Sequence, residues 1–491
     1  MMNLTDPVLV LRTALAELTP APSHDATTPP ADNQIYAPAG HETALDPDRS
    51  LVIGGRGVGK SFWSAVLLNS KARNYVANSY PRLALDRCEV ALGFAGVDVD
   101  THQAPSREIL DELIERDGYA PEKVWRAVIL GVVNRVLKLK LELPNQLGGS
   151  TGLVAWVDSD AGRTQQTLRH ADEQLWQNGR RLIVLFDALD RVGQQWKTIR
   201  ERTRALLQVA LAMRSYRAIK LKLFLRVDQA EDPQIIAFAD ASKLFGAKVD
   251  LLWERHDLYG LLYTLLLNDS KAGEAFAALI ERSTGLQLPP AGGLVLPAEL
   301  KTSEPKQEAA FVALAGPYMG SDARRGKTFT WLYNHLADGF GRVSPRSFLE
   351  ALRHAAQYPL AESRLVLHPK GLQSGVQGAS ELRLEQLKEE YGWIETVLEP
   401  LADLNVPCND TDLFDRWQQA RTIESIAAAG GEAKQEPVEF HEVPENRLAA
   451  LLKALMRIGV AERRADNRIN VPDIYRVAAK LLRRGGVRPR R

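Results

Sequence analysis

A glycine-rich segment near the amino end carries the clearest chemistry in this sequence. It fits the pattern G-x-x-x-x-G-K-[ST] and reads Gly54, Gly55, Arg56, Gly57, Val58, Gly59, Lys60, Ser61, with Phe62 next. An apolar run precedes it and a helical stretch follows, which is the context that this pattern requires. Glycines let the main chain approach a phosphate closely, and a helix start adds partial positive charge. We therefore predict that residues 54–62 form a P-loop that binds ATP or ADP, with Lys60 reaching the β- and γ-phosphates.

A carboxylate at the end of a second apolar run is the expected metal ligand. Asp187 directly follows the apolar residues 181–186. Mg²⁺ dehydrates reluctantly and usually takes few protein ligands beside phosphates and water. The hydroxyl of Ser61 and the carboxylate of Asp187 therefore predict a Mg²⁺ site, and Lys60 and Asp187 are candidate catalytic residues.

Short apolar runs that alternate with helical stretches must position these residues. The clearest runs lie at 50–55, 88–94, 181–186, 219–226 and 248–253. Such alternation is typical of a parallel sheet that helices cover on both faces. We therefore predict an α/β fold: a P-loop NTPase core with a mostly parallel sheet, followed by a helical lid and a C-terminal helical and winged-helix-like domain.

The 491 residues predict two to four domains, at about 100–200 residues per domain. The expected parts are an N-terminal arm at 1–45, the P-loop core at 46–256, a helical lid at 257–367, and a helical linker with a winged-helix-like domain at 368–491. Within the last part, residues 368–380 are expected to form a glycine-containing link. A helix over 446–459, a hairpin around 465–468 and a final helix from Pro472 give the winged-helix order.

Composition and charge exclude several classes of protein. Lys and Arg number 62 against 61 Asp and Glu, so a formal charge of +1 gives no global field for nucleic acid or anionic lipid. Cys88 and Cys408 lie far apart without metal-ligand spacing, which argues against a disulfide framework or a zinc site. No run approaches the roughly 18 apolar residues of a membrane span. We expect a cytoplasmic protein that does not bind membranes.

In these motifs the sequence resembles the KAP and STAND branches of the AAA-like P-loop ATPases of bacteria. The resemblance covers about residues 49–360, through the P-loop, the strand ending at Asp187 and the Leu-Asp-Arg at 189–191. The winged-helix pattern extends it to 380–491. Many relatives carry a second acid beside the magnesium aspartate, whereas this chain has Ala188. That departure leaves open which residue activates water.

The resemblance implies roles for three further charged residues, and each has a structural alternative. Asp190 is the nearest candidate base, or it forms a salt bridge with Arg191 or caps a helix. Arg226 stands where AAA-like ATPases place a γ-phosphate sensor, or it forms a solvated ion pair with Asp228. Arg346 resembles the lid arginine that contacts the γ-phosphate, or it is a solvated arginine near a helix start.

Basic residues accumulate at the carboxyl end of the chain. No acidic residue follows Asp473, whereas seven cations do: Arg476, Lys480, Arg483, Arg484, Arg488, Arg490 and Arg491. Such a cluster could neutralise DNA phosphates in a salt-dependent way. Alternatively, the winged-helix-like domain packs on the nucleotide core or mediates assembly, and the basic end is a solvated tail.

These expectations lead to three hypotheses of function. The first is a Mg²⁺-dependent ATP-binding and hydrolysing switch that controls its own homo-oligomeric assembly or an effector protein; the resemblance implies a setting in bacterial anti-phage defence. The second is an ATP-stabilised scaffold with slow or no hydrolysis, because Ala188 replaces a catalytic acid. The third is a DNA-binding loader that resembles origin-recognition ATPases. Single-turnover hydrolysis separates the first two hypotheses, and duplex binding titrated with salt separates the third.

Overall fold

The computed structural model describes residues 6–18, 28–31, 34–100, 103–137, 143–144, 146–288, 295–359, 364–429 and 436–490. By its internal contacts the chain divides into two units. We call residues 23–252 the α/β unit, and residues 1–22 together with 253–491 the helical unit. The first helix of the helical unit is α1 (Pro7–Ala16). The functional division into arm, core, lid and winged-helix-like domain stays a prediction.

Within the described residues, the α/β unit contains a five-stranded sheet whose neighbouring strands are parallel. The strands are β1 (Leu51–Ile53), β2 (Cys88–Phe94), β3 (Arg181–Phe186), β4 (Ile219–Leu225) and β5 (Val249–Asp250). Their order across the sheet is β2-β3-β4-β1-β5. The predicted α/β fold with a mostly parallel sheet is confirmed, and each strand lies within its apolar run. Because β4 lies between β1 and β3, the residues that follow these three strands come side by side at one edge.

Helices cover both faces of this sheet. They are α2 (Glu42–Leu45), α3 (Lys60–Leu68), α4 (Ser70–Ser79), α5 (Arg107–Asp111), α6 (Pro121–Leu137), α7 (Leu153–Ser159), α8 (Ala161–Gln177), α9 (Trp196–Ala212), α10 (Val227–Glu231), α11 (Pro233–Ile236) and α12 (Ala241–Phe245). Alternate residues of β3 enter two different cores: Val184 lies in the core that contains Trp125 of α6, and Leu185 lies in the core that contains Trp63 of α3. Side chains of a strand point alternately to opposite faces, so an apolar strand needs a cover on each.

The helical unit continues after the sheet. Its remaining helices are α13 (Arg255–Leu267), α14 (Gly273–Thr284), α15 (Ala298–Thr302), α16 (Glu304–Ala315), α17 (Thr328–Leu336), α18 (Pro345–Gln357), α19 (Pro369–Glu390), α20 (Ile394–Leu398), α21 (Asp410–Gln419), α22 (Thr422–Ala429), α23 (Glu439–Glu442), α24 (Arg447–Arg457) and α25 (Asp473–Arg476). The helix α1 joins this unit through the Arg12 guanidinium, which donates to the main-chain oxygens of Leu365 and Val366. Part of the predicted N-terminal arm, including residues 19–27, lies outside the described residues.

The expected link at 368–380 is wrong, because residues 369–380 belong to α19. Its glycines form a packing surface against α18. A Cβ on Gly371 would lie 2.6 Å from the main-chain oxygen of Ala355, and one on Gly375 would lie 2.1 Å from that of Ala351. Glycines spaced four residues apart share one helix face, so they let the two helices approach closely and give no flexibility to the chain here.

The carboxyl end contains the predicted hairpin. The strands β6 (Glu462–Arg463) and β7 (Ile469–Asn470) pair in antiparallel fashion. The final helix, expected to run on from Pro472, is only the four residues of α25, and Lys480 then adopts a left-handed φ of 60° that no helix continues through. The identification of a winged helix stays a prediction. Among the described residues, none of the helices combines the length and the apolar character that crossing a membrane requires.

Candidate functional site

The P-loop joins β1 to α3. Gly57 and Gly59 have φ angles of 76° and 102°, a conformation that glycine adopts at no steric cost. Lys60 is the first residue of α3, and its Nζ donates to the main-chain oxygens of Gly54 at 2.6 Å and Gly55 at 2.8 Å. The lysine ammonium is therefore held over the loop, beside the helix start that would face a phosphate.

Asp187 follows β3 and is 1% exposed. Its main-chain nitrogen donates to the oxygen of Phe94 at 3.0 Å, which extends the pairing of β3 with β2. The hydroxyl of Ser61 donates to its carboxylate, whereas the atom Oδ2 has no hydrogen-bond partner among the described residues. Burial raises the pKa of Asp187, and the Ser61 hydrogen bond and the charge of Lys60 act against that rise.

The residues around Asp187 fit a Mg²⁺ ion. A buried carboxylate oxygen without a partner is costly, and a cation would satisfy it. No group of three or more His, Cys, Asp or Glu side chains that could hold a metal occurs in the described parts of the chain. Mg²⁺ usually takes most of its ligands from water and phosphate, so it needs few groups from the protein. Ser61 and Asp187 are the residues that would hold the ion.

Arg226 follows β4, the strand between β1 and β3. Its Nε and Nη2 donate to the two carboxylate oxygens of Asp228 at 2.9 and 3.0 Å, and its Nη1 donates to Oδ2 of Asp190 at 3.1 Å. The side chains of Arg226 and Asp228 are 8% and 2% exposed. The ion pair anticipated as the alternative is thus present, but the expectation that it is solvated is wrong, because the pair is buried at the edge of the sheet.

Asp190 lies in a single 3₁₀ turn, Leu189–Arg191, directly after Asp187 and Ala188. Besides Arg226, the Nη2 atom of Arg56 lies 3.7 Å from its Oδ2. Within the described residues its ion pairs are with these two arginines, so the salt bridge proposed with Arg191 is not formed. Burial acts to raise the pKa of Asp190, but the charges of Arg226 and Arg56 more than offset it, and the pKa lies below its usual value.

The position of the missing second acid is tightly packed. Ala188 has a left-handed φ of 53°. A Cβ added to Gly96, in the loop after β2, would lie 2.5 Å from the Cβ of Ala188. Ala188 therefore has a backbone conformation that residues other than glycine adopt at a cost in energy. Its methyl group fills the space against Gly96.

A buried contact links α3 to both ends of the α/β unit, and no sequence motif indicates it. Trp63 Nε1 donates to Nδ1 of His41 at 3.1 Å. Nε2 of the His41 ring lies 2.8 Å from the main-chain oxygen of Leu252. Since an indole N–H can only donate, Nδ1 accepts and Nε2 carries the proton. Burial lowers the pKa of His41 to about 4. These three residues are far apart in the chain, and no spacing pattern connects them.

Arg346 belongs to the helical unit, where it is the second residue of α18. The cap of this helix is Ser344, whose hydroxyl accepts a hydrogen bond from the main-chain nitrogen of Ser347 at 3.1 Å. The helix start beside Pro345 is as expected. The role of Arg346 as a γ-phosphate sensor stays a prediction.

Several of the C-terminal cations already have partners. Arg476 is fully buried, and its Nε donates to Asp473 at 2.9 Å while its other nitrogens donate to the main-chain oxygens of Leu481 and Val487 at 3.0 and 2.7 Å. Arg490 pairs with Glu381 of α19 at 3.0 Å. Part of the predicted positive field is therefore neutralised within the helical unit, and DNA binding stays a prediction.

No protein-family model and no curated protein matches this chain. The solved structures that align with it include the ORC2 protein of Aeropyrum pernix in ADPNP-ADP complexes, at 12% identity over 87% of this chain and 84% of that chain, with a TM-score of 0.28. They also include Cdc6p of Pyrobaculum aerophilum, at 11% identity over 93% of each chain, with a TM-score of 0.30. At these scores the likeness supports no argument about this chain, so its chemistry rests on its own residues.

Proposed function

We propose that this chain is a Mg²⁺-dependent ATP-binding and hydrolysing switch that controls its own assembly or a partner effector. One observation carries the proposal: the P-loop lysine, the Ser61 hydroxyl and a buried Asp187 oxygen without a hydrogen-bond partner in the described residues meet at the carboxyl edge of the sheet. A strand, a glycine loop and a helix start in this order form a phosphate-binding site.

Each residue of the edge has a task in this proposal. Gly57 and Gly59 allow the loop to wrap the phosphates, and Lys60 turns from its two carbonyl acceptors to phosphate oxygens. Ser61 and Asp187 hold the metal, and Arg226, whose donors contact Asp228 and Asp190, lies where a γ-phosphate sensor is expected. Mg²⁺, when bound, neutralises charge on the phosphates and on the leaving group.

A second candidate, the slow or non-hydrolysing ATP-stabilised scaffold, is favoured by a specific feature of the same edge. Ala188 occupies the position beside Asp187 where an acid is expected. The next carboxylate along the chain, Asp190, is engaged by Arg226 and Arg56. A carboxylate with a lowered pKa and two guanidinium partners is a poor proton acceptor. We therefore expect nucleotide binding to be more robust than turnover.

The setting in bacterial anti-phage defence is a further part of the proposal that depends on the resemblance alone. Homo-oligomerisation and an effector partner likewise follow from that resemblance. The DNA-binding loader is the third candidate, and only its exposed cations, such as Arg484 and Arg488, favour it.

The proposal is tested by equilibrium binding of ATP and ADP with and without Mg²⁺, together with single-turnover hydrolysis. Lys60→Ala should lower ATP affinity or turnover by at least about 100-fold, because it removes the cation that contacts the β- and γ-phosphates. Lys243→Ala, an exposed lysine of the same unit, is the matched control. A Lys60→Ala protein that binds and hydrolyses ATP like its parent would show that the nucleotide site is elsewhere.

A further inference from the structure

Four charged side chains form a continuous cluster beside the P-loop. We call Arg56, Asp190, Arg226 and Asp228 the Asp190 cluster. Oδ2 of Asp190 is shared by two guanidinium groups, at 3.1 Å from Nη1 of Arg226 and 3.7 Å from Nη2 of Arg56. With two cations and two anions, the cluster is formally neutral.

The two arginines are held very differently. Arg226 uses both edges of its guanidinium, one on the two oxygens of Asp228 and one on Asp190, and its side chain is 8% exposed. Arg56 stands on the P-loop itself, is 25% exposed, and makes the longer of the two contacts with Asp190. A partly exposed pair at 3.7 Å is weak, because solvent screens it. Of the two contacts with Asp190, the one made by Arg56 therefore costs less to break.

Asp190 can release Arg56 without being left unpaired. If Arg56 moves away, the 3.1 Å bond from Arg226 still neutralises the carboxylate, so no buried charge loses its last partner. The terminal phosphate of a nucleoside triphosphate is a stronger acceptor for a guanidinium than one shared carboxylate oxygen, since it offers several oxygens and more charge. A diphosphate has one phosphate fewer to offer.

We propose that Arg56 determines the preference for triphosphate over diphosphate: Asp190 positions its guanidinium over the P-loop, and the γ-phosphate of a bound nucleotide competes with Asp190 for it. In this role Asp190 is a positioning residue and not the base that activates water. The inference rests on the proposed nucleotide function and specifies how that site distinguishes its ligands.

A double-mutant cycle on binding tests the competition. The dissociation constants of ATPγS and ADP are measured with Mg²⁺ by calorimetry for the parent, Arg56→Gln, Asp190→Asn and the double variant. Arg56→Gln should weaken ATPγS binding by about 10-fold or more, the value of a charge-assisted hydrogen bond, and leave ADP binding nearly unchanged. Asp190→Asn should strengthen ATPγS binding by about 3-fold, because it removes a weak competing ion pair.

The cycle separates this mechanism from a general field effect. In the Arg56→Gln background, Asp190→Asn should no longer strengthen ATPγS binding. The same gain in both backgrounds would mean that Asp190 acts only through its charge, and would overturn the proposal. Arg191→Gln is the matched control, because Arg191 is exposed and adjacent to Asp190 in the same turn.

A structural defect is recognised through Arg56→Lys, which keeps the charge and removes the planar fork of donors. It should bind ADP like the parent and fall between the parent and Arg56→Gln in ATPγS affinity. Equal affinity ratios of ATPγS to ADP in the parent and in Arg56→Gln would overturn this inference while leaving the proposed function intact. A parent that binds neither nucleotide would overturn both.

Discussion

Charged side chains are used in opposite ways at the carboxyl edge of the sheet and at the carboxyl end of the chain. At the edge, Lys60 donates to main-chain oxygens, and Asp187 keeps an oxygen without a hydrogen-bond partner among the described residues. In the C-terminal segment, the guanidinium of Arg476 donates hydrogen bonds to Asp473 and to two main-chain carbonyl groups. The first arrangement leaves capacity for a ligand, whereas the second holds the protein itself together. Charged groups therefore keep capacity for the proposed ligand in one region and form structural bonds in the other.

The largest effect that we expect comes from removing the charge of Asp187 at the carboxyl edge of the sheet. Asp187→Asn keeps the shape of the side chain and loses the anion that would hold Mg²⁺, so Mg²⁺ should no longer strengthen ATP binding, and turnover should fall by at least about 100-fold. Stability should not fall, because a neutral amide is easier to bury than a carboxylate. The measurements are ATP titrations with Mg²⁺ or EDTA and a urea unfolding curve. Asp240→Asn, an exposed residue of the same unit, is the control.

An Asp187→Asn protein whose ATP binding depends on Mg²⁺ as in the parent would contradict the proposed difference between the two regions. It would mean that the buried oxygen without a described partner is not a metal ligand. In that case the edge of the sheet would hold its charges for structural reasons, as the C-terminal segment does.

The second effect is on stability and concerns the C-terminal segment. Arg476→Ala removes one partner of a fully buried ion pair, leaves two carbonyl oxygens without this donor, and leaves Asp473 with the more distant Arg483 at 3.4 Å. Such losses cost about 3–5 kcal/mol, so the midpoint of urea unfolding should shift strongly. Arg484→Ala, an exposed member of the same basic cluster, should stay within about 0.5 kcal/mol of the parent. Equal stability of the two variants would show that Arg476 has no structural role.

The part of the site that depends on local sequence could be predicted, and the part that depends on side chains from several loops could not. The P-loop, the helix start at Lys60 and the strand before Asp187 follow from residue spacing along the chain, and all are found in the structure. The contacts of Asp190 with Arg56 and Arg226 join three loops, and their geometry depends on how each loop packs. A sequence shows that charges are present but does not show which of them pair.

The fold shows the same limit. Five apolar runs predicted five strands, because a buried parallel strand needs continuous apolar residues. The glycines at 371 and 375 predicted a link, although they lie within α19 and permit its close contact with α18. Glycine spacing alone cannot separate a flexible connection from a helix surface that lacks side chains, because both need the absence of a Cβ.

A third effect, on the pH dependence of stability, comes from a buried lysine of the sheet. Lys222 of β4 donates to the main-chain oxygens of Ala44, Asp46 and Arg49 at 3.0, 2.6 and 2.5 Å. Burial lowers its pKa to about 7 from 10.5. Between these values the unfolded chain binds the proton and the native protein does not, so the stability contribution of this residue rises with pH. The slope approaches about 1.4 kcal/mol per pH unit.

The variant Lys222→Met should lose that slope. Urea unfolding at pH 7, 8 and 9 measures it, and the parent should gain stability relative to the variant as the pH rises. Lys220→Met, on the same strand but partly exposed and paired with Asp48, is the control. Parallel stability curves for the parent and Lys222→Met would contradict the lowered pKa. Such a result would mean that Lys222, like Arg476, stays positively charged in the folded protein while it donates its hydrogen bonds.

The smallest effect that we expect is on duplex DNA, and it tests how far the C-terminal charges are already committed. Arg476, Arg483 and Arg490 contact carboxylates, whereas Arg484 and Arg488 are exposed and have no carboxylate partner among the described residues. Each phosphate contact contributes about −0.9 to the slope of log affinity against log salt, so two uncommitted arginines supply a slope of about −1.8 at most. Replacing both by alanine should flatten the salt dependence by no more than this and leave ATP binding unchanged. The measurement is fluorescence anisotropy of a labelled duplex between about 50 and 200 mM salt. A parental slope several times steeper that disappears in the double variant would mean that the paired arginines exchange their carboxylates for phosphates, and the two regions would then share one way of using charge.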